Sequence, residues 1–204
     1  MLATRNAGKV RELAPLVAAA GFIPLTLDDL EVAESPEEDT IEAFDTFEEN
    51  ALAKARWFSA RGGGRPVLAD DSGLAVDALG GAPGVRSRRW AWVAGLSGAS
   101  LDAANNERLI AELAGGANRR ARYVCVAAIA WSGGEVSARG ECAGAIAPAP
   151  RGAGGFGYDP YFVSDELGAT FAEASVAAKQ GVSHRGRAVR AAIQLLRASF
   201  GHGQ

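Results

Sequence analysis

The sequence is poor in the residues that mark secreted scaffolds, zinc modules and membrane proteins. Its 204 residues include two cysteines, Cys125 and Cys142, with no CxxC pair and no Cys/His ligand spacing, which argues against a disulfide scaffold or a zinc ribbon. No apolar run approaches the roughly 20 residues that span a bilayer, and no charged region with an apolar stretch follows Met1. We therefore expect a soluble, cytoplasmic protein with no membrane partner and with both thiols reduced and buried.

The chain also lacks an excess of positive charge. Its formal net charge is −3, whereas general binders of nucleic acid polymers or anionic membranes usually carry a basic excess. Arg86, Arg88 and Arg89 precede Trp90, but one such cluster in an acidic protein is more typical of a solvated or dimer-facing loop. Any phosphate recognition must then be local. The length favours a single domain over residues 1–204, built of two lobes.

The stretch from Pro66 to Val76 is the first candidate site. An apolar run over residues 67–69 predicts the end of a buried strand, and Asp70 and Asp71 follow it directly in a turn with Ser72 and Gly73. Two adjacent carboxylates that lose hydration require positive compensation, for which a divalent metal is a candidate. The alternative is an Asp-Ser-Gly turn that satisfies local backbone donors.

The second candidate is the polar loop Thr4–Lys9. It follows a short predicted strand, residues 1–3, and precedes a predicted helix that starts near Val10 and ends at Gly21. A strand, a small polar loop and a helix N-terminus can bind phosphate through backbone N–H groups, the helix dipole and an ammonium. Alternatively, Thr4 or Asn6 is only the N-cap. Pro15 should kink this helix or delay its start.

A second predicted strand, Ile23–Leu27, and an acidic loop precede a predicted helix that begins at Thr40. Its apolar stripe comprises Phe44, Phe47, Ala51, Ala55 and Phe58, and its polar stripe comprises Glu42, Thr46, Asn50 and Lys54. The polar stripe offers a carboxylate, an amide and an ammonium on one face. An ordinary solvated face with Glu–Lys pairs is the alternative.

The second half of the chain predicts a mixed sheet. A helix over residues 101–114 is followed by two long apolar runs, Tyr123–Trp131 and Glu135–Ile146, separated by Ser-Gly-Gly, which predicts an antiparallel hairpin. A short strand is predicted at Tyr161–Val163, and a final helix after Ser183 as a plausible N-cap.

Two further segments carry ligand-binding residue types. The loop Arg151–Asp159 has four glycines that allow close backbone approach, with Phe156 and Tyr158 as aromatic faces, although a flexible turn explains the glycines equally well. His184 and Arg185 are expected at a helix N-terminus that suits an anionic or carbonyl-rich ligand; a surface histidine is the alternative. Together the segments fit a metal, phosphates and a planar ring, which describes a nucleoside triphosphate with magnesium.

Five segments closely resemble the inosine triphosphate pyrophosphatases of the RdgB type, in that family's order and over nearly the whole chain. They are LATRNAGKVREL (2–13), TFEENALAKAR (46–56), ADDSGLAVDALGGAPGV (69–85), GGFGYDPYF (154–162) and SHRGRA (183–188). The resemblance implies an α/β fold with a long mixed central β-sheet flanked by helices, in two lobes with an active-site cleft between them. It also implies a homodimer.

The same resemblance implies hydrolysis of deaminated purine nucleoside triphosphates (ITP, dITP and XTP) to the monophosphate and pyrophosphate, with Mg2+. Asp71 would be the general base and a magnesium ligand, with Glu42 as the second carboxylate ligand. The implied substrate-binding residues are Thr4, Arg5, Asn6, Ala7, Gly8, Lys9, Lys54 and Ser72, and around the base Phe156, Gly157, Tyr158, Asp159, Lys179, His184 and Arg185.

One departure weakens the assignment of Glu42, because Ala43 and Phe44 stand where the family usually has Thr-Gly. Two alternatives remain open at this point. The chain could be a Maf-like pyrophosphatase for other modified nucleotides, or a nucleotide-binding protein without catalysis.

Overall fold

A computed structural model describes residues 1–116 and 118–201. The helices are α1 (Ala7–Ala19), α2 (Glu38–Ile41), α3 (Phe47–Arg61), α4 (Gly98–Glu112), α5 (Val176–Val182) and α6 (His184–Gly201), with short 3-10 helices at Asp77–Leu79 and Gly84–Arg89; the strands are β1 (Val67–Val76), β2 (Arg120–Trp131), β3 (Gly134–Ile146) and β4 (Phe162–Ser164). The chain divides into two compact units. The first unit comprises the described residues of Met1–Asp71, Cys125–Gly140 and His184–Gln204, and the second unit those of Ser72–Val124 and Glu141–Ser183.

The predicted α/β class and mixed sheet are confirmed. The described strands form a sheet in the order β1-β2-β3-β4, in which β3 pairs antiparallel with β4 and Ala145 lies opposite Val163. A parallel bridge joins Leu2 to Leu68, so parallel and antiparallel pairings coexist. β2 and β3 are neighbours joined by two residues, as the hairpin prediction requires.

Strand β1 corrects the predicted turn after Ala69. The strand continues through Asp70, Asp71 and Ser72 to Val76, so the carboxylates lie within a strand and not in a loop. Successive side chains of a strand point to opposite faces, which separates the two carboxylates. Gly73 permits this course because a Cβ there would lie 2.2 Å from the carbonyl oxygen of Gly84.

Helix α3 begins later than predicted, at Phe47 instead of Thr40. Thr46 is its N-cap: the Thr46 hydroxyl accepts a hydrogen bond from the Glu49 backbone N–H at 3.2 Å and donates to the Glu49 carboxylate at 2.6 Å. This reciprocal cap starts the helix there. Phe44, predicted as part of the apolar stripe, lies outside the helix and is 46% exposed.

The strand predicted at Ile23–Leu27 is wrong, because these residues form no strand. Pro24 lacks a backbone donor, Leu25 O accepts a hydrogen bond from Leu2 N at 2.7 Å, and Leu27 O accepts one from the nearby Val32 N. Helix α1 starts at Ala7, well ahead of Pro15, so the proline does not delay its start. Gly21 follows the helix with φ of 78°, in agreement with the predicted C-terminal glycine.

Each unit has its own apolar core. In the first unit, α1 packs against α6, with Leu13, Val189 and Ile193 in one cluster, while the α3 residues Ala55 and Phe58 belong to another. The core of the second unit includes the large apolar residues Leu74, Val76, Leu109, Leu113, Ile146, Phe162 and Phe171. Within the described ranges, no helix has the length and apolarity needed to cross a membrane.

Candidate active site

Asp70 is the centre of a buried charge cluster in the first unit. Its carboxylate is 0% exposed and lies 3.0 Å from Nε of Arg185 and 3.1 Å from Nζ of Lys9. Its backbone carbonyl accepts a hydrogen bond from Lys54 Nζ at 2.7 Å. Burial alone would raise the pKa of Asp70, but Lys9, Arg185 and Lys54 together hold it far below its ordinary value. Asp70 is therefore an anion that fixes three cations in place.

Arg185 continues this cluster towards helix α1. Its guanidinium is 2% exposed and donates to the carboxylates of both Asp70 and Glu12. The sequence did not identify Glu12 as a residue of this cluster, because a helical pattern does not distinguish a buried carboxylate from a solvated one. Arg185, predicted to contact the nucleobase, thus already holds two carboxylates; its role at the base stays a prediction.

Asp71 is set apart from Asp70 by its environment as well as by the strand alternation. It is 8% exposed, and Oδ2 accepts a hydrogen bond from Asn50 Nδ2 at 3.0 Å. Burial raises its pKa to about 6; Glu42 also raises it, while Lys9, Lys54 and the Asn50 bond act in the opposite direction. A carboxylate with this pKa is ionised at neutral pH and can also accept a proton, which suits a general base.

Glu42 lies directly after helix α2, and its carboxylate accepts a hydrogen bond from Lys54 Nζ. Burial opposes ionisation of Glu42, yet Lys54 and Lys9 outweigh it and lower its pKa. Because the Glu42 charge raises the pKa of Asp71, the two carboxylates repel each other electrostatically. That repulsion is what a cation bound between them would relieve.

Asn50 belongs to the predicted polar stripe but was not among the predicted site residues. It is 2% exposed and binds Asp71 with its amide nitrogen, which also donates to Phe44 O at 3.1 Å. Its amide oxygen accepts from Phe44 N at 2.9 Å. One side chain therefore fixes both Asp71 and the segment that follows Glu42.

The Thr4–Lys9 loop is shaped by its own hydrogen bonds. Asn6 caps α1 by accepting from Lys9 N at 3.1 Å, and the Asn6 backbone N–H donates to Thr4 Oγ1 at 3.2 Å. The guanidinium of Arg5 forms a two-point pair with Glu38 at 2.9 and 2.7 Å. The N-cap interpretation of Asn6 is confirmed, and it leaves the lysine of this loop directed at Asp70.

In the second unit, Asp159 organises the glycine-rich loop. Its Oδ2 accepts hydrogen bonds from Lys179 Nζ at 2.5 Å and from Phe156 N at 2.9 Å, and its Oδ1 accepts from Tyr123 OH at 3.3 Å. Lys179 also lies 5.3 Å from the centre of the Phe156 ring. The loop is thus a held structure and not the flexible turn considered above.

The predicted site residues fall into two groups by unit. The first unit contains Thr4, Arg5, Asn6, Ala7, Gly8, Lys9, Glu42, Lys54, Asp71, His184 and Arg185, and the second contains Ser72, Phe156, Gly157, Tyr158, Asp159 and Lys179. Asp71, Glu42, Lys9 and Lys54 interact with one another. His184 begins α6 and is buried, so it is not the surface histidine of the alternative interpretation.

Comparison with known proteins decides the family. The profile of the Ham1 family matches residues 1–195. The chain belongs to the Ham1 family. It is 48% identical over 200 residues to a protein named dITP/XTP pyrophosphatase from Ralstonia nicotianae, covering 97% of this chain and 96% of that protein. A protein of the same name from Symbiobacterium thermophilum is 48% identical over 209 residues, covering 100% and 97%.

Solved structures agree with this membership. A HAM1 protein from Coxiella burnetii superposes on the chain with a TM-score of 0.78 at 34% identity, covering 97% of each chain. The family resemblance inferred from the five sequence segments is therefore confirmed, and so is the α/β class with a mixed central sheet and flanking helices.

Proposed function

We propose that this Ham1 family chain, acting as one pyrophosphatase domain over residues 1–204, hydrolyses deaminated purine nucleoside triphosphates to the monophosphate and pyrophosphate. Relatives at 48% identity that carry the name dITP/XTP pyrophosphatase support the substrate class. The observation that carries the chemistry is Asp71, a buried carboxylate with a pKa of about 6 beside two lysine ammoniums.

Asp71 acts as the general base. It takes a proton from a water molecule, whose oxygen bonds to the α-phosphorus while the bond from that phosphorus to the bridging oxygen breaks and pyrophosphate leaves. Asn50 holds one oxygen of the carboxylate at 3.0 Å, which fixes the direction of the base. Such positioning makes proton transfer efficient.

The donor set fits a magnesium ion. Within residues 1–116 and 118–201, no cluster of three His, Cys, Asp or Glu side chains could hold a metal by itself. Mg2+ in nucleotide enzymes typically takes one or two carboxylates together with substrate phosphates, and Asp71 and Glu42 are two mutually repelling carboxylates. When bound, the ion would neutralise phosphate charge.

Lys9 and Lys54 stabilise the anionic phosphates. Both ammoniums are already held by Asp70, so little ordering is required when a triphosphate binds, and preorganised charge is the more effective kind in a transition state. Asn6 caps helix α1, and Lys9 lies in the first turn of that helix. That end of a helix favours anions.

Recognition of the base is assigned to the second unit, with Phe156 offering an aromatic face and Lys179 and Asp159 offering polar groups. His184, at the start of α6, is also proposed to contact the base. A 6-oxo group satisfies a donor in such a site, whereas a 6-amino group leaves it unpaired, and that mismatch can reach several orders of magnitude. ATP would then be rejected.

Pyrophosphate release from ITP, dITP, XTP, ATP, GTP and a modified pyrimidine triphosphate, each with magnesium and with EDTA, tests the proposal. We expect magnesium-dependent release from the first three and none from ATP, while GTP, which also carries a 6-oxo group, tests whether that group alone decides recognition. Preference for the modified pyrimidine would favour the Maf-like activity instead. Tight binding of ITP with no release would favour a non-catalytic binding protein.

We further propose a homodimer, supported by large apolar side chains exposed in one short segment. Trp92 is 75% exposed, with Val93 and Leu96 close by in sequence and also exposed; such patches mark interaction sites. Light scattering of the wild type and of Trp92→Ser gives the test, and a monomeric wild type would contradict it.

We also propose a cytoplasmic location, to which the two buried thiols are suited; cell fractionation tests it.

A further inference from the structure

Two polar residues of helix α4 hold the backbone of the glycine-rich loop at Gly157. The Gly157 N–H donates to Asp102 Oδ2 at 2.8 Å, and the Gly157 carbonyl accepts from Asn106 Nδ2 at 2.9 Å. Asp102 and Asn106 are four residues apart, so they lie on the same face of the helix. Both backbone polar groups of Gly157, which belong to two consecutive peptide units, are thereby bound by one helix.

The position of this contact is what gives it consequence. Gly157 has φ of 62° and directly follows Phe156, whose own N–H is bound to Asp159 at 2.9 Å. A Cβ at Gly157 would meet nothing within 4 Å, so the glycine is required by its left-handed backbone and not by crowding. The peptides on both sides of Phe156 are therefore fixed, and with them the point from which its side chain leaves the backbone.

Asn106 has a feature that a purely structural residue would not need. Its side chain is buried, and its Oδ1 has no donor within hydrogen-bond distance in the part of the chain described. A buried acceptor without a partner destabilises a fold. The Nδ2 of Asn106 nevertheless donates a hydrogen bond to the Gly157 carbonyl. This indicates that the side chain contributes to the position of the loop more than to the stability of the core.

We propose that Asp102 and Asn106 are positioning residues for base recognition: they hold the Gly157 peptide so that Phe156 presents its ring to the base. The inference rests on the proposed function, because it takes the loop as the site of the base. Neither residue touches the reacting atoms. Their removal should therefore weaken nucleotide affinity and base selectivity with little effect on the chemical step.

Four variants separate this role from general stability. Asp102→Ala removes the acceptor, Asp102→Asn retains an oxygen that can accept from Gly157, and Asn106→Ala removes the donor. Glu107→Ala, an exposed acid on the same helix, is the matched control. Measured quantities are kcat and KM for ITP and ATP, the Kd for inosine monophosphate, and the exchange rate of the Gly157 amide hydrogen.

For Asp102→Ala we expect KM for ITP and Kd for the monophosphate to rise about tenfold, kcat to change less than about threefold, and the Gly157 amide to exchange at least about tenfold faster. Asn106→Ala should raise KM and Kd less, since the Gly157 N–H stays bound. Asp102→Asn should restore most of the affinity, and Glu107→Ala should match the wild type.

Unchanged KM and Kd in Asp102→Ala would overturn the proposal, as would a loss of kcat and thermal stability with no change in Kd. The monophosphate has no bond to cleave, so its Kd is independent of turnover. A wild type that binds the monophosphate but hydrolyses no triphosphate would therefore refute the proposed reaction while the Kd values still judge the role of Asp102.

Discussion

The carboxamide of Asn50 donates a hydrogen bond to Oδ2 of Asp71 at 3.0 Å, joining a residue inside helix α3 to one inside strand β1. The same amide holds both backbone groups of Phe44, two residues after Glu42. One buried side chain therefore sets the positions of Asp71, the proposed base, and of the segment that follows Glu42.

Replacing Asp71 with Asn should abolish turnover and at the same time stabilise the fold above pH 6. The pKa of Asp71 is raised from its ordinary 3.8 to about 6, so folding favours its protonated form. The stability that folding gains from the protonated Asp71 is fully present below about pH 4 and is lost as the pH rises through about 6. The difference between these two pKa values corresponds to a change of about 3 kcal/mol in the free energy of unfolding.

Urea unfolding of both proteins in EDTA, between pH 4 and 8, measures this effect. The free energy of unfolding of Asp71→Asn should exceed that of the wild type by up to about 3 kcal/mol at pH 8 and should converge with it near pH 4. Asp45→Asn, at an exposed position, should differ from the wild type by less than about 0.5 kcal/mol throughout. A pH-independent difference for Asp71→Asn would contradict the assignment.

Asn50→Leu should lower both stability and turnover. It removes the donor to Asp71 and leaves the backbone N–H and carbonyl of Phe44 without the amide, at an expected cost of about 2 kcal/mol. Because the base loses its orientation, kcat should fall at least about tenfold. Arg56 lies on the same helix as Asn50 and forms an exposed ion pair with Glu135. Arg56→Ala should leave kcat unchanged, and equal losses of kcat in the two variants would exclude a specific role for Asn50.

Gly73→Ala should destabilise the protein by about 2 kcal/mol or more, because its Cβ would lie 2.2 Å from Gly84 O and 2.4 Å from Ser87 Oγ. Gly181→Ala is the matched control. No atom lies within 4 Å of a Cβ at Gly181, and alanine favours the helix by about 1 kcal/mol. Thermal unfolding distinguishes the two, and a Gly73→Ala variant as stable as the wild type would show that the strand is not packed this closely.

Arg185→Met should destabilise the protein by about 3 to 5 kcal/mol, since it removes the buried cation that Asp70 and Glu12 share. The ratio of kcat/KM for ITP to that for ATP should stay within about twofold of the wild type in whatever activity remains. A large fall in that ratio would instead support the sequence-based prediction that Arg185 contacts the base. Chemical denaturation and the two-substrate assay together decide between the roles.

Native Cys125 should resist alkylation. Burial raises the pKa of its thiol, and the neighbouring Asp70 raises it further, so little thiolate forms even at pH 8. Cys142 is buried too. Mass spectrometry after iodoacetamide treatment should show modification of both residues only after unfolding in urea; rapid modification of the native protein would contradict their burial.

The linear sequence determined the family, the α/β class and the residue types of the site. The family follows from the five matching segments. The rest follows from local patterns: the hairpin around Ser132, the helix predicted over residues 101–114 and the acidic pair at Asp70 and Asp71 are all recognisable over fewer than about 20 residues. It misplaced the start of α3 because the apolar period continued upstream of Thr46, whose cap overrides it.

Only the tertiary structure decided which charged residue does what. Asp70 and Asp71 are chemically identical neighbours, yet one is surrounded by Lys9, Lys54 and Arg185 and the other is held by Asn50. The pKa of each depends on burial and on charges brought from distant parts of the chain. Strand alternation, which sends adjacent side chains to opposite faces, turns one sequence motif into an electrostatic anchor and a proposed base.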